Sequence, residues 1–92
     1  MIQSFRDKET ERLWESESSD RIRAVRRAAL RKLIQLNAAE RIEDLRVPSG
    51  NQLEMLRGKR KGTYSIRINR QWRICFRWTK AGPAKVEIVD YH

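Results

Sequence analysis

Arg73, Asp90, Tyr91 and His92 have the side-chain types needed to move protons around a phosphodiester. Imidazole titrates closest to neutrality and suits general acid–base work best. A guanidinium offers a rigid fork of donors that fits a phosphate or the added charge of a phosphorane. Arg73 sits between Trp72 and Ile74, where apolar residues alternate with arginines, and Asp90-Tyr91-His92 follows the strand pattern of Val86 to Val89. Strict alternation puts Asp90 and His92 on the side of Ile88, and Tyr91 on the side of Arg73. A twist, bulge or curl at the strand end is therefore needed before His92 meets Arg73. The alternative is a loosely held tail.

A second concentration of charge runs from Arg57 through Lys59, Arg60 and Lys61, with Gly58 and Gly62 at its bends. It lacks the Gly-Lys-Ser/Thr signature of a nucleotide-binding loop. Contact with RNA backbone phosphates is one reading, since such contacts position rather than specify; a solvated hairpin loop is the other. Arg67 and Arg77 share the strand period of Arg73. They are either a solubilising row paired with Glu87 across strands or part of the same site.

Composition agrees with a polyanion partner. In 92 residues, 21 Lys and Arg face 12 Asp and Glu, a net charge of +9. Such an excess attracts nucleic acid and speeds encounter with it, without fixing a fold. Cys75 is the single cysteine and His92 the single histidine. One of each excludes an internal disulfide and the usual zinc site, so no metal or other cofactor is expected. Cys75 reads as a small apolar filler. Met1 to Phe5 lacks the apolar run of a secretory leader, and no membrane-spanning stretch occurs. A cytoplasmic protein follows as the expectation.

The elements that must position these residues are legible from their periods. Ile2 to Phe5 reads as a short first strand. Asp7 or Thr10 can cap a helix reaching about Ser16, and Ser19 or Asp20 can cap a second one. Ile22, Val25, Ala29, Leu33 and Leu36 recur at intervals of three and four and form its buried stripe, with fraying from Asn37 to Ala39. Ile42, Leu45 and Val47 supply anchors for an irregular segment before Pro48. The period then becomes two: Gln52 to Leu56, Tyr64 to Ile68, and Trp72 to Trp78 read as strands, with turns at Asn69-Arg70 and Ala81-Gly82-Pro83 before a last strand. A single α+β domain over residues 1–92 is expected, a short strand and two helices packed on a twisted antiparallel meander. The helix covers Ile66, Ile68, Trp72, Ile74, Phe76, Val86 and Ile88; the far face displays Arg67, Arg73 and Arg77 with Glu87.

Asn51-Gln52-Leu53-Glu54-Met55-Leu56, Gly62-Thr63-Tyr64-Ser65-Ile66-Arg67-Ile68-Asn69, Gln71-Trp72-Arg73-Ile74-Cys75-Phe76 and Val86-Glu87-Ile88-Val89-Asp90-Tyr91-His92 resemble the HigB toxins of the RelE/ParE superfamily. The likeness covers almost the whole chain, is strongest from Pro48 onward, and is closest to the GraT-like branch. It implies a RelE/ParE-like fold and a ribosome-dependent mRNA endonuclease. Such toxins enter the A site of the small ribosomal subunit and cut without a metal, the ribose 2′-OH attacking the adjacent phosphate. On this resemblance Arg73 stabilises transition-state charge, Asp90 and His92 transfer protons, and Tyr91 orients or stacks on a base. Arg57 matches a position where relatives carry a basic residue. A HigA-like antitoxin is the implied partner.

One departure stands out. Some HigB toxins have a histidine where this chain has Glu54. Neighbouring cations favour the charged form of a carboxylate, so Glu54 is expected to orient an arginine or act only as a weak base. A gyrase-inhibiting ParE-like toxin and a non-catalytic ribosome or RNA binder are the alternatives. Asp90-Tyr91-His92 argues against the first of these.

Overall fold

A computed structural model describes residues 1–15, 23–56 and 62–90. Among these, helices α1 (Lys8–Trp14) and α2 (Arg26–Ala38) precede strands β1 (Glu54–Met55), β2 (Thr63–Arg67), β3 (Trp72–Thr79) and β4 (Gly82–Asp90). The strands lie in chain order in one sheet, each antiparallel to the next. This is the expected α+β architecture.

Asp7 caps α1, its carboxylate accepting a hydrogen bond from the Thr10 N–H at 3.2 Å. That satisfies one of the donors a helix start leaves open. Thr10, the other candidate cap, is wholly buried, and its hydroxyl accepts from the Ile88 N–H at 3.1 Å. The helix stops at Trp14, with Glu15 as its C-cap, short of Ser16. Helix α2 follows a single 3-10 turn, Arg23–Val25; Ser19, Asp20 and Ile22 lie outside the described residues. Val25, Ala29, Leu33 and Leu36 are buried as their spacing requires, in one cluster with Ile66, Trp72, Ile74, Phe76, Val86 and Ile88. Ile68 and Trp78 are only partly buried at the cluster's margin.

Four expectations need correction. Ile2 to Phe5 does not form a strand: Phe5 alone bridges β4, in parallel, at Val86. A bulge in β4 accounts for this, where Lys85 adopts a left-handed φ of 52° and the register against β3 shifts between Cys75 and Arg77. The segment still covers that edge. The Gln3 N–H donates to the Pro83 carbonyl at 2.8 Å, the Val86 N–H to the Ser4 carbonyl at 3.1 Å and the Arg6 N–H to the Val86 carbonyl at 2.9 Å.

The last turn falls on Lys80 and Ala81, because Gly82 and Pro83 already pair with Thr79 and Trp78. Gly82 has φ 131°, and Met1 backbone occupies the place a Cβ would take, so glycine is required there. Strand β1 is shorter than Gln52 to Leu56, since Gln52 is left-handed at φ 45° and ψ 55°. Val47 is no anchor: its side chain is exposed, while its carbonyl accepts from the Gln35 side chain. Leu45, in the 3-10 turn Ile42–Arg46, is the buried anchor of that stretch.

Candidate phosphodiester site on the polar face of the sheet

The strand register decides which side chains share the face away from α2. Glu54 stands opposite Ser65, Ser65 opposite Cys75, and Cys75 opposite Glu87, a row that crosses the whole sheet. In the next row Arg67 faces Arg73 and Arg73 faces Val89. Because side chains alternate along a strand, these residues project to one side and Ile66, Ile74 and Ile88 to the other.

Arg73 is the centre of that face, but it is not displayed as expected: it is buried to 8% relative exposure. Directional partners make this burial tolerable, since a charge taken out of water must be hydrogen-bonded. Its Nε donates to the Ser65 Oγ at 2.9 Å, and its Nη2 donates to the Gln52 carbonyl at 2.6 Å and the Ser65 carbonyl at 3.3 Å. Glu54 Oε1 lies 3.7 Å from Nη2. With the Glu54 side chain 52% exposed, solvent screens that pair, and its net contribution is about 1 kcal/mol or less. Glu54 is thus placed to orient the arginine.

The other site residues divide. Arg67 is half-buried, its Nε donating to the Asn69 carbonyl at 3.0 Å. Arg77 is exposed at the far end of the face, opposite Thr63 and Ala84. Glu87 reaches Arg6 at 3.8 Å. Asp90 pairs with Trp72, one position beyond the Val89–Arg73 pair, so its side chain leaves the sheet on the helix side. There it accepts from the Gln71 side-chain amide at 3.1 Å. The structure therefore brings Glu54 and Arg67 to Arg73 and holds Asp90 on the opposite face. Arg57, Lys59, Arg60, Lys61, Tyr91 and His92 lie outside the described residues.

Two residues of the site went unnoticed in the sequence. Ser65 is wholly buried beneath Arg73; the Asn69-Arg70 turn fixes the hairpin register, which was the one available signal. Asn51 is wholly buried as well. Its Nδ2 donates to the Leu45 carbonyl at 3.1 Å and to Gln35 Oε1 at 3.2 Å, while its Oδ1 accepts from Lys32 Nζ. Burial, and then the Arg31 charge, lower the pKa of Lys32 from the usual lysine value. This network ties the turn before β1 to α2. Cys75 is buried, though on the Arg73 face rather than in the apolar cluster. Beside Glu54 a groove of about 680 Å³ opens, lined also by Ile42, Leu53, Met55 and Tyr64.

Two helices against a four-stranded antiparallel sheet, with a buried arginine on the face away from α2, is an arrangement compatible with the RelE-like toxins. Residues 3–92 match the family profile described as RelE-like toxin of type II toxin-antitoxin system HigB, and the chain belongs to that HigB-like family. It is similar to Toxin HigB-1 of Vibrio cholerae serotype O1, 41% identical over 94 aligned positions covering 100% of this chain and 98% of that toxin. An uncharacterized protein of Haemophilus influenzae is 46% identical over 48 residues, covering 52% of this chain and 48% of that protein. These matches carry no finer assignment to the GraT-like branch. As a toxin of a type II system, the chain has an antitoxin for a partner. No helix among the described residues is long and apolar enough to cross a membrane.

Proposed function

We propose that this toxin is a ribosome-dependent mRNA endonuclease acting in the cytoplasm on the codon held in the A site. The observation that carries the reading is Arg73: a guanidinium fixed by Ser65, Gln52 and Glu54 in a HigB-like chain of net charge +9. The ribose 2′-OH loses its proton and attacks the adjacent phosphorus, the bond from phosphorus to O5′ breaks, and O5′ takes up a proton. The products are a 2′,3′-cyclic phosphate and a 5′-OH end. Arg73 stabilises the charge that gathers on the non-bridging oxygens, where a preorganised donor acts most strongly. His92 takes part in proton transfer and Tyr91 orients or stacks on a base, roles carried over from the family resemblance; Asp90, on the opposite face and bonded to Gln71, acts only by holding the strand end that carries them.

Glu54 aligns Arg73 rather than serving as the main base. Arg57, Lys59, Arg60 and Lys61, with Arg67 and Arg77, contact RNA phosphates, positioning the toxin without reading sequence. A HigA-like antitoxin neutralises it.

The test is mapping of mRNA 5′ ends on programmed ribosomes, with gyrase supercoiling assayed alongside. New ends inside the A-site codon, lost in Arg73→Ala and His92→Gln, are expected, with supercoiling unaffected. Inhibited supercoiling without new ends would assign the chain to gyrase poisoning. Growth arrest that persists in His92→Gln without cleavage would make it a non-catalytic binder.

A further inference from the structure

We propose that Ser65 is a positioning residue for Arg73, setting the plane in which the guanidinium meets its phosphate. The inference rests on the nuclease reading above and assigns a role to a residue that never touches RNA. Ser65 engages the arginine twice, through its hydroxyl to Nε at 2.9 Å and its carbonyl to Nη2 at 3.3 Å. The Gln52 carbonyl takes Nη2 as well, at 2.6 Å. A planar group held at two adjacent nitrogens cannot rotate about its last torsion, so its orientation is set before any substrate arrives.

The residue type at position 65 supports this assignment. A buried mid-strand position favours Val, Ile or Thr, and serine fills it poorly as an apolar side chain. Serine does supply an acceptor with little bulk, beneath an arginine that leaves no exposed surface on it. The second acceptor is aimed by main-chain shape. Gln52 is left-handed, and Asn51 beside it is anchored to Leu45, Gln35 and Lys32. The clamp thus runs from α2 through Asn51 and Gln52 to the guanidinium, with Ser65 as its side-chain jaw.

The test compares steady-state cleavage on programmed ribosomes by the full-length wild type, Ser65→Ala and Ser65→Thr, with thermal melts of each. Misplacement of a catalytic group by about 1 Å costs up to about 100-fold in rate. Ser65→Ala should therefore lower kcat by about that factor with KM unchanged, and Ser65→Thr, which keeps the hydroxyl, should restore most of it. An unchanged kcat, a change confined to KM, or a threonine variant as slow as the alanine one would overturn the proposal. Should the alanine variant fail to fold, nitrogen-edited NMR of the wild type decides: slow solvent exchange of the Arg73 Nε–H is expected, and fast exchange would overturn the clamp. A wild type that cleaves nothing would remove the nuclease reading, and this role with it.

Discussion

The two faces of one sheet hold their buried residues by different forces. On the helix side Ile66, Ile74, Phe76, Val86 and Ile88 are enclosed with the α2 stripe, held by burial that is non-directional and scales with area. On the other side Ser65, Arg73 and Cys75 are as hidden, but Ser65 and Arg73 are held by named donors and acceptors at 2.6 to 3.3 Å. The apolar face tolerates shape changes in proportion to volume lost. The polar face does not, because removing one partner strands another. Stability belongs mainly to the first face and positional precision to the second, where the proposed chemistry needs it.

Substitutions can break that division in graded steps. Phe76→Ala should be the most damaging, costing about 3–5 kcal/mol for a fully buried aromatic side chain; a loss of unfolding free energy in urea below about 1 kcal/mol would mean that the apolar face is less tightly packed than described. Thr10→Val keeps the shape but leaves the Ile88 N–H without its acceptor, a loss of about 1–3 kcal/mol. It tests whether the β4 edge depends on directional bonds as the polar face does, and an unchanged midpoint would deny that. Asp7→Ala removes the α1 cap and should cost about 1 kcal/mol, with a small drop in thermal midpoint.

The smallest effect concerns acid. The N–H groups of Arg41 and then Glu40 hold the Asp44 carboxyl below the ordinary carboxylate range. A carboxyl whose pKa is lower folded than unfolded stabilises the fold at pH above the unfolded value, about 3.9. That contribution disappears as pH falls through the lower folded value. Asp44→Asn should therefore lose little stability at acid pH and more at neutrality, flattening the acid limb of the stability curve; parallel limbs would refute the assignment.

The sheet was legible because alternation and hairpin turns are local. Asn69 accepts from the Gln71 and Trp72 N–H groups, at 2.9 Å each, and that turn sets the register placing Ser65 beside Arg73. The α2 stripe was legible for the same reason. What alternation could not give was depth. It placed Arg73 on the polar face yet read it as exposed, since its burial depends on Gln52, a residue distant in sequence and in an unusual conformation. Nor could it foresee that Lys85 would bulge β4 and leave Ile2 to Phe5 with a single bridge. The side of Asp90 was read correctly from period alone.

In the proposed reaction a fixed guanidinium on the polar face does the charge stabilisation, and Arg73→Lys is its sharpest probe. A lysine keeps the charge but cannot supply the planar fork. This variant, folded by its melting curve, should cleave the A-site codon about 100-fold or more slowly than wild type at saturating ribosome concentration. Cleavage by the folded lysine variant at the wild-type rate would contradict it.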